Sequence, residues 1–148
     1  MTKSTRFRTA LQPCETIRDP ADVLARGWIA ALRPLEPIRG EMAGDLHSAV
    51  ETADDWTVET VIKLGAAAPD KAYDVGMRIV ELTDDAWILA NVGVSVFENL
   101  LHRDAVYFIG RLAADAQRVP RLREALAHVG GQRLDKAART RLCALTRA

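Results

Sequence analysis

The sequence predicts an all-α protein of about eight short antiparallel helices stacked as helix hairpins, a short solenoid or irregular bundle. Three observations carry that reading. Apolar residues recur three and four apart through most of the chain, with no sustained two-residue alternation of β-branched residues. Prolines and acidic residues fall just ahead of the apolar runs, where helix starts favour them. The runs follow one another at short intervals, as neighbouring antiparallel helices require.

Each element has its own signal. Asp19-Pro20 supplies an N-cap and a first-turn proline for a helix over 21–32, which Pro34 stops. Pro37 opens a second, with Ile38, Met42, Leu46, Ala49 and Val50 on its stripe. Asp54-Asp55 precede a third, along Val58, Val61, Ile62 and Gly65. Pro69 ends that helix and starts a fourth along Ala72, Val75, Ile79 and Leu82. Thr83-Asp84-Asp85 cap a fifth, from Ala86 to His102. Asp104 starts a sixth, with Ile109, Leu112, Ala113 and Ala116 inward. Val119-Pro120 starts a seventh, along Leu122, Ala125, Leu126 and Val129, and Gly130-Gly131 is expected to close it as a left-handed cap. The last runs from Asp135, with Ala138, Leu142 and Leu145 inward. Residues 1–18 read as a flexible or loosely packed N-terminal arm ahead of a single helical domain over 19–148. Acidic residues lead into a tryptophan twice, in Asp54-Asp55-Trp56 and Asp84-Asp85-Ala86-Trp87, a faint repeat at helix-pair spacing.

Composition narrows the function class. A chain of 148 residues fits one domain, and 49% apolar with 27% charged residues is a soluble, globular balance. Twenty basic and 20 acidic residues cancel, which argues against binding nucleic acid or an anionic membrane through net charge. Cys14 and Cys143 form no disulfide framework, so a reducing cytoplasm is expected. The polar start, with Lys3, Arg6 and Arg8, lacks the apolar core of a signal peptide. The most apolar stretch, 88–101, is interrupted by Asn91, Ser95 and Glu98 and is too short to span a bilayer. His47, His102 and His128 lack zinc-ligand spacing, and the phosphate-binding glycine motifs are missing. No cofactor and no metal are therefore expected.

From Asp19 onward the order of features resembles an uncharacterised family of small all-helical bacterial proteins, a domain of unknown function. The resemblance runs through Trp28-Ile29-Ala30, Asp84-Asp85, Leu89-Ala90-Asn91, Phe97-Glu98-Asn99-Leu100-Leu101, Phe108-Ile109, the stretch Val119 to Leu126, and Gly130-Gly131. It covers most of the chain. Ser95-Val96 and Arg103-Asp104-Ala105 depart from the family's pattern, and its terminal tryptophan is missing. The resemblance implies a helical fold and brings no activity with it.

Two patterns are candidates for function. On the fifth helix, Asn91, Ser95, Glu98 and His102 fall on one narrow strip of an otherwise apolar cylinder. That strip is either a seam, solvated or bonded to neighbouring helices, or the polar floor of a groove. Glu98 and His102, four apart, could then act as an acid–base pair. The second pattern is charge. From Ala53 to His102 three basic residues stand against nine acidic ones, and from Arg103 to Ala148 ten stand against four. That split suggests one acidic and one basic surface, with Arg118, Arg121 and Arg123 clustered at the start of the seventh helix. Solvated faces with local pairs such as Arg111–Asp115 are the plainer account. Together these features predict a non-catalytic protein-protein interaction module of bacterial type, an immunity protein or adaptor. Its expected contacts are Asn91, Glu98, His102, Arg118, Arg121 and Arg123, its partner another protein such as a cognate toxin. Self-association is compatible with this reading; membrane binding is not expected, and nucleic acid is disfavoured because no aromatic residue interleaves with these arginines. The alternatives are a small enzyme or ligand-binding protein using the polar strip, and a helical-repeat nucleic-acid binder.

Overall fold

Caps decide where the helices begin. The computed structural model describes residues 19–36, 50 and 53–147, and among them the regular structure is helical throughout. Seven helices result: α1 (Pro20–Leu32), α2 (Trp56–Ala67), α3 (Pro69–Leu82), α4, α5 (Ala105–Arg118), α6 (Arg121–Leu126) and α7 (Lys136–Arg147). Helix α4 is continuous but changes pitch, running α-helically over Ala86–Val92, as a π turn over Gly93–Phe97, and α-helically again over Glu98–Arg103. Aspartate carboxylates accept from first-turn N–H groups at four expected starts: Asp19 from Ala21, Asp55 from Thr57, Asp85 from Trp87 and Ile88, and Asp104 from Tyr107. Asp135 does the same for Ala138 at the start of α7. The second expected helix, over 37–50, and the N-terminal arm lie outside the described residues.

Helices α1, α2 and α3 pack against one another, and α5, α6 and α7 form a second group. Between them runs α4, which touches α3, α6 and α5 along its length. Every residue from Trp87 to Phe97 is buried. Trp28, Trp87, Phe97, Ile79 and Leu122 have no exposed surface and belong to one continuous core. Trp87 Nε1 also donates to the Leu32 carbonyl at 3.0 Å, tying α4 to the end of α1. Among the described residues no helix is long and apolar enough to cross a membrane.

Two local expectations are corrected. The seventh helix ends at Leu126 rather than near Val129. Neither Gly130 nor Gly131 takes the left-handed conformation; the Gly130 N–H instead donates to Glu98 Oε1 at 2.8 Å. A side chain from α4 thus satisfies the donor that the expected cap would have turned back on its own helix.

Candidate interaction site

The polar strip of the fifth helix is an internal seam. Asn91 has no exposed surface and Ser95 is 6% exposed, so Asn91 cannot reach a partner in the folded chain. Asn91 Nδ2 donates to the Trp87 carbonyl at 3.0 Å. Asn91 Oδ1, Ser95 Oγ and Trp28 Nε1 are buried with no hydrogen-bond partner among the described residues. Glu98 and His102 are half-buried. The Glu98 carboxylate is engaged by Gly130 rather than by His102.

Nor do the three arginines form an open patch. Arg118 reaches Glu81 Oε2 at 3.1 Å and Asp115 Oδ1 at 3.2 Å. Arg121 donates to the Glu81 carbonyl at 3.0 Å, and Arg123 to the Leu145 carbonyl at 3.2 Å. Those two are half-buried and serve helix C-termini, where a cation suits the dipole. Arg111 leaves Asp115 alone and crosses to α3, pairing with Asp70 at 3.1 Å and Asp74 at 3.4 Å while lying over the Tyr73 ring. Burial and the Asp115 carboxylate, 2.6 Å from its hydroxyl, keep Tyr73 protonated far above the usual tyrosine range. The groove between α1, α3 and α5, about 320 Å3, is lined by charges that pair with one another, Arg78, Arg111 and Arg118 against Asp74, Glu81 and Asp115. Among the described residues no group of three or more histidine, cysteine, aspartate or glutamate side chains could hold a metal. Cys143 is exposed, as its position opposite the α7 stripe predicts, and lines a cleft of about 450 Å3 with Leu126, Val129 and Leu142.

Large apolar side chains are exposed beside a cleft at the start of α2. Trp56 is 64% exposed and Ile62 37% exposed, whereas Trp28 and Trp87 are fully buried. Trp56 and Ile62 line a cleft of about 540 Å3 with Val50, Ala53 and Val58. Its rim is acidic: among the described residues Asp54, Asp55 and Glu59 stand against Lys63, which pairs loosely with Glu59 at 3.5 Å. Hydrogen bonds from the Thr57 hydroxyl and backbone N–H hold the Asp55 carboxyl below the usual aspartate range, so this part of the rim stays charged into acid. The sequence points to Trp56 only through its tandem acidic residues, and no predicted contact residue lies here. An indole presented on an apolar floor inside a charged rim has the anatomy of an interface hot spot. Comparison of the chain with protein-family models, with curated proteins and with solved structures gives no match.

Proposed function

We propose that this protein is a non-catalytic protein-protein interaction module of the bacterial cytoplasm, an immunity protein or adaptor, and that it docks its partner in the cleft beside Trp56. One observation carries the reading: a large aromatic side chain is left mostly exposed beside Ile62 on an acid-rimmed apolar cleft, while the other two tryptophans are fully buried. The engagement of Glu98 by Gly130 and of the arginines by Glu81, Asp115 and Leu145 supports α2, rather than α4, α5 and α6, as the contact surface. A complementary partner carries apolar anchors and basic residues.

The test uses the full chain as bait in its native host, followed by reconstitution with the purified captured protein. Trp56→Ala is expected to weaken the reconstituted complex about thirtyfold or more, the loss of a hot spot worth ~2 kcal/mol. Glu59→Lys is expected to slow association, because rim charges act on the encounter. A complex indifferent to both substitutions would refute docking in this cleft.

A further inference from the structure

The face around Trp56 presents an apolar anchor inside an acidic rim. Its complement is an apolar hollow inside a basic rim, and the same chain carries one. Between the end of α6 and α7 lies the cleft of about 450 Å3 floored by Leu126, Val129 and Leu142, within the range of roughly 300–1,000 Å3 in which proteins enclose a bound group. Arg139 lines it, its guanidinium donating to the Leu134 carbonyl at 2.7 Å. Lys136, Arg139, Cys143 and Arg147 recur three and four apart, so three exposed cations share the stripe of α7 that borders the cleft. Among the described residues the ion pairs run through Arg26, Lys63, Arg78, Arg111 and Arg118, and none involves these three.

The two surfaces match in shape and sign. One offers an indole that is 64% exposed, with Asp54, Asp55 and Glu59 around it. The other offers the hollow and the cations. Within one folded chain they stand apart: α2 packs on α1 and α3, α7 packs on α5 and α6, and α4 runs between the two groups. Between two molecules they are free to meet. A tryptophan entering such a hollow buries roughly 150–250 Å2, and opposite charges at the edge speed the encounter and fix its register.

Resting on the reading of the Trp56 face as a docking site, we propose that it docks a second copy of this chain. Trp56 of one molecule enters the cleft between α6 and α7 of the next, and Asp54, Asp55 and Glu59 face Lys136, Arg139 and Arg147. The two patches differ, so the contact is head-to-tail, and each molecule turns one face to each neighbour. Such a contact closes into a ring or continues as a chain, as its rotation dictates. A different protein that claims Trp56 displaces a copy, so partner binding and self-association exclude each other at this face.

Sedimentation velocity of the purified full chain reads the assembly. Its mean mass is expected to rise with protein concentration and to fall with added salt. Trp56→Ala is expected to raise the dissociation constant about thirtyfold or more, as the loss of a hot spot does. Two paired substitutions test the match: Asp54→Lys with Glu59→Lys, and Lys136→Glu with Arg147→Glu. Each variant alone is expected to stay monomeric, and an equal mixture of the two to assemble, because every contact then joins opposite charges. In a Cys14→Ser background, Cys143 is expected to react more slowly with dithiobis(nitrobenzoate) as the protein concentration rises, since the incoming indole covers it. A chain that stays monomeric up to about 1 mM would overturn the proposal. So would an assembly that ignores the α7 substitutions, the mark of a symmetric contact between two Trp56 faces. If either result appears while the complex with the captured host protein still depends on Trp56, the docking reading stands without its second copy.

Discussion

Trp56 and Trp87 follow the same kind of N-cap and end in opposite environments. Asp55 precedes Trp56 directly, whereas Ala86 stands between Asp85 and Trp87. One residue is about 100° of rotation on a helix, so equal caps aim the two indoles at different faces. The caps were legible in the sequence as acidic residues before apolar runs, and so was the added alanine. The inward face was not, because it depends on where Gly27 of α1 lets the start of α2 approach. It is Thr57, not Trp56, that meets that glycine. Trp87→Ala is expected to cost roughly 3–5 kcal/mol in urea unfolding, since it empties a filled site and leaves the Leu32 carbonyl without its donor. Trp56→Ala is expected to change stability by no more than about 0.5 kcal/mol. A loss at Trp56 comparable to that at Trp87 would place it in the core and end its role as a docking residue.

At the level of the element, α4 shows how a neighbour rewrites a helix. Its extent and near-complete burial follow from an apolar surface on almost every side, and both were readable in advance. The π turn was not. There the N–H of Glu98 reaches back to the Gly93 carbonyl, and Gly93 is pressed against α6: a Cβ on it would lie 2.1 Å from the Ala125 carbonyl oxygen. The wide turn and the close approach occur together, and only the folded neighbour reveals either. The turn also breaks the regular pitch on which the strip from Asn91 to His102 was drawn. Gly93→Ala is expected to lower stability by about 3 kcal/mol or more, because the added carbon meets backbone that cannot swing aside. Gly110→Ala, in α5 with open space around it, is expected to raise stability by roughly 0.5–1 kcal/mol. Calorimetric melting of the two variants reads these opposite signs, and a tolerated Gly93→Ala would show that the approach of α6 is slack.

Across the whole molecule the charge split folds in on itself. The acidic stretch holds α3 and the basic stretch holds α5, and the two helices meet through Arg111 with Asp70 and Asp74 and through Arg118 with Glu81. The amounts of charge were legible in the sequence; their mutual neutralisation required the pairing of the helices. Further ties depend on carboxylates. Hydrogen bonds from Arg26, then from Arg78, hold the Asp22 carboxyl below its usual value, and Thr57 does the same for Asp55. A depressed folded pKa stabilises the fold above the unfolded value, near 3.9, and that contribution disappears as the pH falls through the folded value. The melting temperature is therefore expected to fall as the pH drops from about 4 towards 2. Asp22→Asn should flatten that acid limb, and an unchanged limb would show that the Arg26–Asp22–Arg78 cluster does not contribute. Helix α6 gives the molecule a different property. It spans only six residues, below the length at which a helix persists alone, yet Arg121 binds the Glu81 carbonyl near the end of α3 and Arg123 the Leu145 carbonyl near the end of α7. Such a segment keeps its helix only through its neighbours: it acts as a tie-bar between α3 and α7, and hydrogen exchange is expected to show the three opening together.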